Sequence, residues 1–146
     1  MKVSIASDHG GLKLKNVISD YLTACGHMVF DCGTDNENSV DYPDFAKAVA
    51  NDILEGRSER GVLVCGSGIG MSISANRFHG IRAALVHSVE YSKLAREHNN
   101  ANILVLGGRF TDEETARNIC DKFFTVEYAG GRHDNRLEKI EKITEE

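Results

Sequence analysis

The chain reads as an α/β protein: a three-layer α/β/α sandwich on a five-stranded parallel sheet, Rossmann-like, in a single domain over residues 1–146. Three observations predict this. Short β-branched and apolar runs alternate five times with segments of helical periodicity, the signature of βα units. The runs are apolar almost throughout, as strands buried on both faces are. Glycines, histidines and an arginine cluster just beyond the runs, where ligands bind in open parallel sheets.

The elements follow in order. KVSIAS at 2–7 is a strand. Residues 12–24 place apolar side chains at 14, 17, 18, 21 and 22, a helical stripe. Gly26 stands where a helix-ending glycine belongs. HMVFDC at 27–32 is the second strand, and the polar loop GTDNENSVDY follows. Pro43, the only proline, suits the first turn of a helix running to about 54. GVLVCG at 61–66 is the third strand, with a helix from near Gly70. IRAALV at 81–86 is the fourth, followed by the helical VEYSKLAREHNN. NILVLG at 102–107 is the fifth. The helix over 111–124 opens with Thr111 as N-cap and Glu114 three residues on, a capping box. Crossovers are expected to be right-handed, and the strand order to begin 2-1-3. In the tail, glycines bend the chain into a charged helix near Asp134. Leu137, Ile140 and Ile143 form its narrow apolar stripe, which suits either the chain's own core or a subunit interface.

Composition narrows the function classes. A chain of 146 residues can bury a sizeable core. A net charge of −5 disfavours non-specific binding to nucleic acid. The apolar runs fall far short of the roughly 20 residues of a membrane helix, and no signal peptide is evident. A cytoplasmic protein with no nucleic-acid or membrane partner is predicted. Cys25, Cys32, Cys65 and Cys120 include no C-x-x-C and no zinc-ligand spacing. Reduced thiols are expected, with Cys25, Cys32 and Cys120 as buried small hydrophobes.

The strand ends carry the chemistry. Asp8-His9-Gly10-Gly11 follows the first strand, and Cys65-Gly66-Ser67-Gly68-Ile69-Gly70 follows the third. His87 follows the fourth, Gly107-Gly108-Arg109 the fifth, and the loop after the second ends in Asp41 and Tyr42. GSGIG is neither the dinucleotide G-x-G-x-x-G nor a P-loop. Its amides, at a helix N-terminus, make a nest for a phosphate or a developing oxyanion. Cys65 faces that nest, a placement that favours a thiolate acting as nucleophile or proton abstractor. It reads equally as a core cysteine closing a buried strand. His9 and His98 are single histidines without a tight ligand set, so no metal is predicted. Arg132 and Arg136 are either a solvated basic patch or a pair that holds an anion at a helix start.

Five segments in order, SDHGG, DYPDFA, CGSGIGMSISANR, REHNNAN and YAGGRHDNR, resemble the type B ribose-5-phosphate isomerase family from about residue 3 to 143. Its relatives act on galactose 6-phosphate and allose 6-phosphate. The resemblance implies interconversion of ribose 5-phosphate and ribulose 5-phosphate through an enediolate, a pentose phosphate reaction without cofactor or metal. It implies that Cys65 is the base and that Ser67 assists at the reacting oxygens. The amides of Gly66, Gly68, Ile69 and Gly70 would hold the enediolate. His98 would open the furanose ring, Asn99 would bind hydroxyls, and Asp8 and Tyr42 would bind the ring. His9, Arg109, Arg132 and Arg136 would grip the phosphate. The resemblance further implies a homodimer, or a tetramer, with shared active sites and the C-terminal helix packed on a partner subunit. One branch of the family uses a glutamate directly after the glycine loop. Met71 stands there, so the resemblance is to the cysteine branch. The alternatives are a hexose-phosphate isomerase and a non-catalytic phosphate- or nucleotide-binding module.

Overall fold

The computed structural model describes residues 1–145. Five strands, β1 (Lys2–Ser7), β2 (Met28–Asp31), β3 (Arg60–Cys65), β4 (Ala83–Leu85) and β5 (Ile103–Gly107), form one parallel sheet in the order β2-β1-β3-β5-β4. Six helices connect or follow them: α1 (Leu12–Ala24), α2 (Tyr42–Leu54), α3 (Ile69–Ala75), α4 (Val89–Asn99), α5 (Glu113–Thr125) and α6 (Asp134–Glu141). Single 3-10 turns cover His9–Gly11 and Gly131–His133. Among the described residues no helix is long and apolar enough to cross a membrane.

The strand period of two divides the core into two layers. Val3, Ile5, Val62, Val64, Leu104 and Leu106 pack with Leu14, Ile18 and Leu22 of α1, Ala95 of α4, and Ile119 and Phe123 of α5. Ala6, Leu63, Cys65, Ile103 and Val105 pack with Ala46, Val49 and Ala50 of α2 and with Met71 and Ala75 of α3. Each large apolar side chain so buried contributes about 1.5–3 kcal/mol before entropy is set against it. This is the expected three-layer sandwich.

The order beyond 2-1-3 was open in the sequence. The structure inserts β5 between β3 and β4. The chain leaves β1 toward β2 and then returns to lay β3 on the other side of β1. That reversal opens a crevice above the carboxyl ends of β1 and β3.

The element ends are mostly as predicted. α1 closes with a Schellman turn: the His27 N–H donates to the Leu22 carbonyl at 3.0 Å and the Gly26 N–H to Thr23 at 3.0 Å. Gly26 has a φ of 93°. The start of α5 differs. Its N-cap is Asp112, whose carboxylate accepts the Thr115 N–H and hydroxyl at 2.8 Å each. A carboxylate so placed also meets the positive end of the helix, so it prevails over the neighbouring Thr111, and the predicted capping box does not form. α6 ends at Glu141, which Arg82 ties to the body of the protein. Leu137 is buried, whereas Ile140 and Ile143 are exposed, the latter beyond the helix. Cys120 is buried and Cys32 half-buried, but Cys25 is exposed. It is the C-cap of α1, just past the last buried turn, so the expectation of burial fails there.

A Cβ on Gly11 would lie 2.4 Å from the Val64 carbonyl oxygen, whereas one on Gly26 would meet nothing within 4 Å. Gly11→Ala should therefore lower stability by about 1–3 kcal/mol, the range for overpacking against an unyielding neighbour. Gly26→Ala should lower it by about 1 kcal/mol, from backbone strain alone. Urea denaturation of both variants checks the ranking.

Candidate active site

The three central strands deliver their C-terminal turns to one cleft of about 620 Å³. Asp8, His9 and Gly10 enter from β1, Cys65 to Gly70 from β3, and Arg109 and Phe110 from β5, with Tyr42 from the start of α2. The size suits a small metabolite.

Cys65 ends β3 on the layer facing α2 and α3, and it is 4% exposed. Its sulfur accepts the Gly68 N–H at 3.2 Å. Gly68 makes that bond at a φ of 81°, where a side chain is strained. The Ser67 Oγ accepts the Ile69 N–H at 3.2 Å, so its own proton is available to the cleft. The other core thiols have different surroundings. Burial and the Asp52 carboxylate push the Cys32 thiol up to about 11, and burial pushes that of Cys120 up to about 12. Cys65 meets an amide donor in place of a carboxylate.

The glycines of the loop do more than expose amides. A Cβ on Gly70 would lie 2.4 Å from Cζ of Tyr42, so the bare backbone seats that ring. A Cβ on Gly66 would be 3.3 Å from the Arg109 guanidinium, and one on Gly68 would be 2.5 Å from Leu85. Two of the loop amides expected to face a ligand are already engaged, Gly68 with the sulfur and Ile69 with Ser67.

Asp8 is buried, and one carboxylate oxygen accepts the Gly11 N–H at 3.1 Å, which closes the 3-10 turn beneath His9. The His9 Nδ1 accepts the Val40 N–H at 3.2 Å. Among the described residues Arg109 has no carboxylate within salt-bridge distance, and no group of three or more His, Cys, Asp or Glu could hold a metal ion.

The structure thus brings together Asp8, His9, Tyr42, Cys65, Gly66, Ser67, Ile69, Gly70 and Arg109, with Gly68 just behind them. It leaves His98, Asn99, Arg132 and Arg136 outside this cleft. His98 and Asn99 line a separate hollow of about 310 Å³ with Tyr91 and Leu94. The His98 ring stacks on His133, with centroids 4.4 Å apart and planes at 21°. Arg132 precedes His133 in its turn, and Arg136 lies in α6. Desolvation, the His98 ring and the two arginines hold the His133 imidazole below its ordinary pKa. Sequence reasoning missed His133, although it lies inside the quoted GRHDNR. It also missed Phe110, one residue past Arg109, and Ile73, one helical turn past Ile69; both rim the cleft.

The model of the Ribose/Galactose Isomerase family matches residues 3–140. Ribose-5-phosphate isomerase B of Escherichia coli is 39% identical, over 97% of this chain and 95% of its own. A ribose 5-phosphate isomerase structure from Thermotoga maritima superposes with a TM-score of 0.95 at 50% identity, covering 97% of each chain. Ribose-5-phosphate isomerase B from Mycoplasma genitalium, solved with bound ribulose-5-phosphate, gives 0.95 at 40% identity, covering 99% of this chain and 97% of that one.

The stack predicts a titration. His133 should titrate below the ordinary value of about 6.5, and His98→Ala should move it upward by removing a like charge. In the folded chain the depressed pKa leaves His133 neutral where the unfolded chain binds a proton. Its contribution to stability is therefore present above the unfolded pKa and is lost as pH falls toward the folded one. NMR titration of His133 in both proteins checks the direction; an unmoved value shows that the stack has no effect.

Proposed function

Because the chain belongs to the Ribose/Galactose Isomerase family, we propose that it is a ribose-5-phosphate isomerase interconverting ribose 5-phosphate and ribulose 5-phosphate, with Cys65 as the base. The observation that carries this reading is the Cys65 sulfur in the cleft wall, 3.2 Å from the Gly68 N–H and two residues from the Ser67 hydroxyl. Moving a carbonyl by one carbon needs a base at the C–H and donors at the oxygens.

In the open-chain aldose the Cys65 thiolate takes the proton from C2. The C–H electrons become the C1–C2 double bond, and the carbonyl pair moves onto O1 as the enediolate. The Ser67 hydroxyl, on the same turn, relays a proton between O2 and O1. The Cys65 proton then returns to C1 and the C2 carbonyl forms. Every proton removed is replaced, so nothing is oxidised outside the sugar. Arg109 and His9 supply donors for the phosphate, whose binding orients the reacting carbons.

In this reading His98, Asn99, Arg132 and Arg136 complete the site from a second subunit of a homodimer, His98 assisting ring opening. Two features support this. The four residues form their own group away from Cys65. Ile69, Ile73 and Phe110 rim the cleft while 56%, 64% and 73% exposed, an apolar edge that suits a covering partner.

Conversion of ribose 5-phosphate in the presence of chelator, followed as ketose, tests the activity. Cys65→Ala should keep its circular dichroism and lose about 10³-fold in kcat/KM, within the range for a general base. Undiminished turnover in that variant removes the base. A higher kcat/KM on allose or galactose 6-phosphate reassigns the substrate, and saturable binding without turnover of any sugar indicates a binding module. Co-refolding Cys65→Ala with His98→Ala tests sharing. A mixed dimer with shared sites keeps one intact site, so about a quarter of wild-type activity should return. No return places both residues in one subunit's site.

A further inference from the structure

We infer that Lys15, outside the cleft, is a positioning residue that fixes the loop over 33–41 so that the Val40 amide holds His9 with its ring proton on Nε2. The inference rests on the reading of the cleft as the sugar-phosphate site. Lys15, on α1, is 1% exposed and ranks among the largest fully buried side chains. Burying an ammonium is costly unless it is paired, and an apolar residue would fill the same space without that cost. What the charge does here is hold a loop. The Lys15 Nζ donates to Asp31 Oδ1 at 2.8 Å and to the Thr34 carbonyl.

The same carboxylate oxygen accepts the Gly33 N–H at 2.9 Å. Ser7 at the end of β1 pairs with both sides of the turn, accepting from the Thr34 N–H and donating to the Gly33 carbonyl at 2.8 Å each. The root of the loop is therefore built on Lys15, Asp31 and Ser7. Beyond Thr34, residues 35–39 are exposed and hold only local contacts, such as the Asn38 N–H on the Asn36 side chain. The loop then returns to the cleft, where the Val40 N–H donates to His9 Nδ1 at 3.2 Å.

A backbone amide can only donate, so Nδ1 accepts, and the neutral ring carries its proton on Nε2. Since His9 lines the cleft, Nε2–H is the donor left for a bound anion. The other tautomer would present a lone pair to the same anion. Lys15 thus acts on His9 through a loop anchored at one end and read out at the other.

The test uses the full chain and ¹⁵N-labelled histidine. Wild-type His9 should show a single neutral tautomer with Nδ1 unprotonated. Lys15→Met keeps the volume and removes the ammonium. Its His9 signals should move toward a tautomer average, and KM for ribose 5-phosphate should rise about twofold, as the donor tautomer falls from the whole neutral population to about half. Its kcat should stay unchanged, because no group at the reacting carbons is touched. If Lys15→Met fails to fold, Asp31→Asn weakens the same clamp from the solvent side and is held to the same outcome. A wild-type His9 protonated on Nδ1 overturns the inference, as do an unchanged His9 spectrum and an unchanged KM in a folded variant. If no sugar phosphate is turned over, the reading of the cleft fails, and the tautomer measurement still decides the role of Lys15.

Discussion

The site depends on three strand-end turns pressed together backbone to backbone. A Cβ on Gly11 would meet the Val64 carbonyl, one on Gly107 the Ser67 carbonyl at 2.7 Å, and one on Gly108 the Gly10 carbonyl at 2.9 Å. The Gly108 N–H donates to the Cys65 carbonyl at 2.8 Å and the Arg109 N–H to Gly66 at 3.0 Å. No side chain fits between these turns, so glycine is required by packing as well as by turn geometry. Asp8, Cys65 and Arg109, distant in the chain, thereby share one wall. The entropy of ordering them is met by folding, before any ligand arrives.

The same packing gives one residue type several environments. Cys32 faces the Asp52 carboxylate, which also accepts from Ser4 and Arg57, and Cys120 lies in the apolar layer under α5. Both therefore favour the thiol. Cys65 closes the central strand where the next turn supplies an N–H. It also lies at the edge of the cleft.

The group outside the cleft is also preformed. Arg96, buried and among the described residues without a carboxylate partner, donates to the Val126 and Ala101 carbonyls and to the Asn100 side chain. Desolvation, aided by the nearby arginines, lowers its pKa to about 10. The Ala129 N–H donates to the Glu97 carbonyl at 3.0 Å. These bonds fasten the start of the tail to the end of α4, which lets His133 reach His98. The chain thus carries two separate ordered groups of polar side chains, one in the cleft and one at the end of α4.

The βα alternation, the helix stripes, the Gly26 stop and the chemistry at the strand ends were legible because each is written within a few neighbouring residues. That is why Asp8, Cys65, Ser67 and Arg109 could be named from sequence, and why Tyr42 could be set at the head of α2. Other features depend on residues far apart in the chain. The sequence did not place β5 inside β4, since crossover rules leave that choice to packing. It did not separate His98 from Cys65, explain Gly70 by the ring of Tyr42, or mark Lys15, which reads as one more polar position on α1. It pointed to Thr111 as the cap, and the folded helix end selected the Asp112 carboxylate instead. By itself the sequence determined which segments become strands and which chemistry follows them, because periodicity and capping are local. Tertiary structure alone decided which of those groups meet, because contact between backbones is fixed only when the layers close.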